Sequence, residues 1–154
     1  MERKTKIHAE ENKQEIIITR DFDLPLNLLF RAYLEPEIVE QWMGTKVIKL
    51  ENKKQGGWHF ETTDPMGNVH VFSGVIHDII KNSTIVRTFQ MENTPFEPQL
   101  EFLDFEPVSD SKSKLNMHII YRSVALRDQM LALPFAQGIN MAHNRLQSIV
   151  EKLN

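Results

Sequence analysis

The C-terminal stretch from Ser123 to Asn154 places the strongest constraint on how this chain can fold. Within it, Ile139, Ala142, Leu146, Ile149, Val150 and Leu153 recur at steps of three and four, the spacing that lines one face of an α-helix. Asn140, Asn144, Gln147, Ser148, Glu151 and Lys152 fill the other face. From Phe135 onward the helix would be about 30 Å long at ~1.5 Å per residue. A lone helix of that length is marginal in water, whereas each apolar side chain of the stripe gains roughly 1–3 kcal/mol if buried. The helix therefore needs a wide apolar partner. Pro134 removes an amide donor and clashes with the preceding turn, so a short helix over 126–133 is expected to precede the long one.

The middle of the chain supplies the partner. From Thr45 to Tyr121 the hydrophobic period changes to two: Trp58, Phe60 and Thr62 alternate with His59 and Glu61, and Leu115, Met117, Ile119 and Tyr121 alternate with Asn116 and His118. Val69 to Ile80 reads as a long strand, with Gly74 marking a bend or the close approach of another backbone. Between Leu100 and Phe105 both phases are apolar, so the inward set is open. Turn chemistry separates these runs at Asp64–Asn68, Lys81–Ser83, Asn93–Pro98 and Pro107–Lys112. Glu15 to Phe22 is β-branched and reads as the first strand. Two short helices follow, one opened by Asp23-Leu24-Pro25 with Asp23 as a potential cap, the other opened at Pro36 and closed by Gly44. Consecutive strands joined by short turns imply an antiparallel meander. The expected fold is α+β: six or seven strands curled around the C-terminal helix, which leaves a space between sheet and helix lined by large apolar residues. Residues 1–13 read as a flexible arm before a single domain over 14–154.

Composition narrows the partners. A chain of 154 residues fits one domain. The net charge of −3 supplies no basic excess to neutralise phosphates, so nucleic acid is not expected. There are no cysteines, which removes disulfides, thiol nucleophiles and cysteine-ligated metals. No apolar run approaches the ~20 residues of a membrane span, and the polar start of the chain is unlike a secretion signal. A cytoplasmic location, as monomer or homodimer, is expected.

A series of short motifs then resembles a known family. Ile18-Thr-Arg-Asp-Phe-Asp-Leu-Pro25 is followed by Phe30-Arg-Ala-Tyr33, Glu35-Pro-Glu37 and Gln41-Trp-Met-Gly44. Gly56-Gly-Trp58, Asp64-Pro-Met-Gly67, Phe72-Ser-Gly74 and Thr88-Phe89 come next, and Ser123, Arg127-Asp128, Gly138 and Arg145-Leu146 close the series. The ordered set resembles the START-like SRPBCC superfamily, in the branch of homologues of the C-terminal domain of the heat-shock-protein ATPase activator (Aha type). The resemblance implies a helix-grip fold, with the C-terminal helix lying over a cavity. Its members include binders of hydrophobic small molecules, cyclase-like enzymes and co-chaperone domains, so it does not decide function. Pro134 stands where the family usually has glycine, Leu126 where an acidic residue often completes a capping box with the serine, and His143 where Tyr or Leu is common.

The candidate cavity set is Trp42, Trp58, Phe60, Phe72, Ile76, Arg87, Phe89, Met117, Phe135, Ile139 and His143. Most are large apolar residues in the inward phase. Arg87 shares a phase with Ile85 and Phe89, so it either extends to solvent along its stem or pairs with a carboxylate inside. His143 lies on the apolar face of the helix, either as a satisfied core histidine or as a polar group that orients a ligand. The other histidines are scattered over separate strands without metal-ligand spacing. No nucleophile–base arrangement and no phosphate loop is visible, so neither catalysis, metal nor cofactor is read from these residues. The reading is a binder of a hydrophobic small molecule. The alternatives are a co-chaperone-like modulator of a heat-shock-protein ATPase and a cyclase- or hydrolase-type enzyme using the same cavity.

Overall fold

A computed structural model describes residues 4–154. Eight strands form one antiparallel sheet: β1 (Lys6–His8), β2 (Glu15–Phe22), β3 (Lys46–Leu50), β4 (Gly56–Thr63), β5 (Val69–Ile80), β6 (Thr84–Met91), β7 (Gln99–Ser109) and β8 (Lys112–Ile120). Their spatial order is β1-β2-β8-β7-β6-β5-β4-β3. Helices α1 (Leu26–Ala32) and α2 (Pro36–Met43) follow β2; α3 (Val124–Ala132) and α4 (Phe135–Val150) follow β8, and a 3₁₀ turn spans Glu151–Leu153. This is the α+β helix-grip arrangement, with eight strands against the six or seven read from the sequence.

The additional strand is β1, which lies in the expected arm. Lys6, Ile7 and His8 pair with Thr19, Ile18 and Ile17 of β2, and residues 1–3 of that arm lie outside the described residues. Thr5 is buried and anchors the segment to α4: its N–H donates to Asn140 Oδ1 at 3.1 Å, and its hydroxyl lies 2.8 Å from His143 Nδ1. Polar composition suggested a free arm, but these long-range polar contacts cannot be seen in the local pattern.

Register sets the inner face of the sheet. Leu103 lies opposite Met117 and Phe105 opposite Leu115, and residues opposite one another in a ladder share a face. Leu103, Phe105, Leu115 and Met117 are all buried, which settles the phase left open by the sequence. Phe102 turns outward beside His118, with ring centroids 6.0 Å apart. The same register carries Gln99 and Glu101 inward. Ile16, Ile119, Glu101, Arg87 and Ile76 thus form one row across β2, β8, β7, β6 and β5.

Of the two readings of Gly74, the structure shows the close approach of another backbone. A Cβ there would stand 2.0 Å from the Thr88 carbonyl oxygen and 2.6 Å from Trp58 Nε1. Glycine lets the Trp58 indole lie across the strand and donate to the Thr88 carbonyl at 3.2 Å. A register shift between Ile76 and Asp78 marks an irregularity of the kind that bends a strand.

The helices begin where backbone donors can be spared. Pro36 occupies the first turn of α2, and Gly44 ends it at φ 61°. At α1 the expected Asp23 cap does not form. Pro25 is the capping residue, and the Asp23 N–H donates to Gln147 Oε1 of α4 at 2.9 Å. Ser123 Oγ accepts from the Leu126 N–H at 3.1 Å, so α3 starts at Val124, two residues before the expected 126. Leu133 is extended, and the helix resumes after Pro134.

His143 is fully buried. Its ring meets Phe22 edge-on at 5.5 Å, and Arg20 Nη1 donates to Thr5 Oγ1 at 3.1 Å. That arrangement leaves the Thr5 hydroxyl proton for Nδ1 of a neutral imidazole. Desolvation first, and the Arg20 charge second, push the His143 pKa down to about 3.

Two outcomes follow from these packing constraints. Gly74→Ala is expected to destabilise the fold by about 2–3 kcal/mol through overpacking, read as a lower urea midpoint; an unchanged midpoint would show that the sheet absorbs the methyl. The unfolded chain protonates His143 near its ordinary pKa of about 6.5 while the folded chain resists, so stability should fall as pH drops from about 6.5 towards 3. The slope from this group is up to ~1.4 kcal/mol per pH unit. His143→Asn retains an acceptor for Thr5 and should flatten the stability profile between neutral pH and pH ~5. Identical slopes in the two proteins would remove His143 as the cause.

Candidate functional site

The stripe of α4 is buried unevenly. In its C-terminal half His143, Leu146 and Val150 are closed off, whereas Phe135, Ile139 and Ala142 in the N-terminal half are only partly buried. A cavity of about 290 Å³ lies beneath that looser half. Phe135, Ile139 and Ala142, spaced four and three residues apart, form its helical wall, and Met130 of α3 extends that wall. Trp42 and Met43 at the end of α2, with Tyr33 after α1, form a second side. The sheet contributes Ile18 from β2, Met117 and Ile119 from β8, Gln99 and Glu101 from β7, and Arg87, Phe89 and Met91 from β6.

The indole N–H of Trp42 donates to the Ala32 carbonyl at 2.7 Å, and its ring meets Tyr33 edge-on at 5.1 Å. Arg145 Nη1 donates to the Trp42 carbonyl at 3.1 Å, tying α4 to the end of α2. These bonds fix the aromatic side of the cavity.

One polar cluster interrupts the apolar wall. Arg87 Nε donates to Glu101 Oε1 at 2.9 Å, and Gln99 Nε2 donates to Glu101 Oε2 at 2.8 Å. The Arg87 guanidinium lies over the Trp58 ring, 5.2 Å from its centroid. The Arg87 side chain is 12% exposed and that of Glu101 5%, so this pair is desolvated, unlike the surface ion pairs of the molecule. Its existence resolves the two readings of Arg87: the side chain pairs inside. Burial holds the Tyr33 phenol above its ordinary pKa, so it stays neutral.

Of the residues expected from the sequence, Trp42, Arg87, Phe89, Met117, Phe135 and Ile139 line this cavity. Five lie elsewhere. Trp58, Phe60 and Ile76 are buried with Val39 in a second, smaller core cluster, and Phe72 packs on its edge. They share the inward phase, but they pack against Val39, Met43 and Phe89 behind the cavity wall and do not line it. His143 is one turn too far along α4 and is enclosed by Phe22, Thr5 and Arg20. Sequence reasoning missed Gln99 and Glu101 because the phase of their strand was undecided. The signal available was the opposite charge of Arg87 and Glu101 on neighbouring strands of a meander. Met43 and Met130 sit at or near helix ends, where no periodicity singles them out; Met91 shares the phase of Ile85 and Phe89 but ends its strand.

The remaining histidines stay outside. His59 lies 3.1 Å from Glu61, and His70 lies 3.0 Å from Asp64. That contact, with backbone N–H donors from Asn68 and Met66, holds the Asp64 carboxyl down to about pKa 2. His118 pairs with Glu15. Among the described residues no three His, Asp or Glu side chains are grouped to hold a metal ion, and no helix is long and apolar enough to cross a membrane.

Comparison with solved structures finds the same architecture in proteins of several bacteria. A Rhodobacter sphaeroides protein superposes with a TM-score of 0.87 at 18% identity, over 97% of this chain and 99% of its own. A Mycobacterium smegmatis protein gives 0.84 at 17% identity, over 94% and 95%. A Staphylococcus epidermidis protein gives 0.82 at 20% identity, over 97% and 95%. At such identities the likeness is one of fold. A search of curated proteins returned no match to this sequence. The profile of a family described as Activator of Hsp90 ATPase homolog 1-like protein matches residues 23–151. That span runs from the turn before α1 to the end of α4 and includes every wall residue of the cavity except Ile18, so the chain belongs to the Activator of Hsp90 ATPase homolog 1-like family.

Proposed function

We propose that this protein binds a hydrophobic small molecule in the cavity between the sheet and the N-terminal half of α4. The observation that carries the reading is the contrast in the cavity wall: an otherwise apolar, methionine- and aromatic-rich surface is interrupted by one buried, internally paired polar cluster. Small-molecule sites typically have this composition. A volume of about 290 Å³ is roughly twice that of an apolar cavity that accommodates benzene, so the occupant is of about two-ring size. Methionines adapt their shape to different ligands, and Met43, Met91, Met117 and Met130 lie around the cavity. No group in the wall has the hydrogen-bonded nucleophile–base geometry of covalent catalysis, which favours binding over turnover.

The family description names an ATPase activator, and a co-chaperone role is the reading that competes with this one. The two separate experimentally. An uncharged aromatic hydrocarbon at ten times its Kd should stabilise the protein by about 1.4 kcal/mol, raising Tm by about 3–6 °C. Ala142→Phe, which fills the cavity from α4, should abolish that shift. If no member of an apolar panel shifts Tm, and the protein instead changes the ATPase rate of its host's chaperone, the co-chaperone reading replaces this one.

A further inference from the structure

The polar cluster of the cavity carries information about the occupant. The Glu101 carboxylate has both oxygens engaged, Oε1 by Arg87 and Oε2 by Gln99. A guanidinium has five N–H donors, and Arg87 gives only the one on Nε to Glu101. Among the described residues, neither Nη nitrogen of Arg87 has a hydrogen-bond acceptor. The guanidinium carbon lies 5.2 Å from the Trp58 ring centroid, and Nε is tied to Glu101, which together position the fork. The cluster is therefore balanced in charge and unbalanced in hydrogen bonds: an ion pair with a surplus of donors, in a wall that is otherwise apolar.

This imbalance selects among ligands. A carboxylate would satisfy the donors, but it would add a second negative charge beside Glu101 in a desolvated site, and an uncompensated buried charge is costly. An ammonium group would add a cation beside Arg87, and both Glu101 oxygens already accept a hydrogen bond. A pure hydrocarbon would fill the volume and leave the N–H groups without an acceptor, which is also unfavourable. A neutral acceptor meets both conditions, because it takes hydrogen bonds and brings no charge.

We propose that the cavity takes an uncharged apolar molecule of about two-ring size whose polar group is a carbonyl-type hydrogen-bond acceptor, received by the free donors of Arg87; this rests on the reading of the cavity as a ligand site. Arg87 is the specificity-determining residue. Glu101 and Gln99 position it and set the charge rule.

Three probes of nearly equal shape test this at neutral pH: acetylnaphthalene, ethylnaphthalene and naphthoate, substituted at the same ring position and titrated by calorimetry and amide NMR shifts. Acetylnaphthalene should bind about tenfold or more tighter than ethylnaphthalene, the size of a charge-assisted hydrogen bond, and naphthoate should bind more weakly than acetylnaphthalene. In the paired substitution Arg87→Met with Glu101→Gln, which keeps the site neutral, the ratio of ketone to hydrocarbon affinity should fall to about one. If that protein does not fold, Arg87→Lys, which keeps the charge but loses the planar fork, should lower the ratio severalfold. The proposal is overturned if ketone and hydrocarbon bind equally, if naphthoate binds tighter than the ketone, or if the ratio survives substitution of Arg87. Binding of ethylnaphthalene without preference for the ketone would overturn this inference alone. Failure of all three probes to bind would overturn the cavity reading as well.

Discussion

Burial of the α4 stripe against the inner face of the sheet is the interaction on which the rest of the structure depends. Leu146 and Val150 are fully closed off within a cluster that includes Leu29, Phe30, Leu103, Leu115 and Ile16. Neither element is stable alone, because an isolated helix of this length is marginal and a one-sided sheet exposes its apolar face. Each supplies the surface that the other lacks. Only the C-terminal half of the helix closes fully. Toward Pro134, where the chain leaves α3 and restarts, the helix covers the sheet less tightly, and the cavity occupies the space between them.

Such a core would be simple if it were apolar throughout, and it is not. Arg20, Gln99, Glu101, Arg127 and His143 are all buried. Each has at least one specific partner, as buried polar groups require, although Arg20 Nε and His143 Nε2 are buried without one. Arg127 donates to the Glu10 and Glu15 carbonyls at 2.7 and 3.1 Å and to Asp128, which fixes the segment leading into β2. Arg20, Thr5, Asn140 and His143 form a second network, which fastens the start of the chain to α4. Arg87, Glu101 and Gln99 form the third. The first two tie elements together, one ending on the exposed Asp128 and the other bordering polar surface clefts at Arg20. The third borders the apolar cavity, and for that reason it is the one that bears on a hydrophobic ligand.

The fold was largely legible in the sequence. Period-three-and-four apolar residues from Ile139 onward, period-two residues in the central strands, and Pro134 as a break all act locally, through side-chain direction and backbone sterics. The cavity was half legible. Trp42, Phe89, Met117, Phe135 and Ile139 were found because apolar phase predicts the inner face. Trp58, Phe60, Phe72 and Ile76 have the same phase and lie outside, because phase says which face a residue takes but not where along a curved sheet it comes to rest. His143 was singled out correctly as unusual on an apolar face, yet its partner Thr5 is 138 residues away in sequence.

By itself, then, the amino-acid order determined the elements, their order and the need for the last helix to close over a sheet, since these follow from short-range periodicity and from the drive to bury apolar surface. Only the tertiary structure decided that Glu101 points inward, that it meets Arg87 and Gln99, and that the start of the chain adds an edge strand. Those outcomes depend on strand register. A shift of one residue would turn Glu101 to solvent, and the register is set by contacts between segments far apart in the chain.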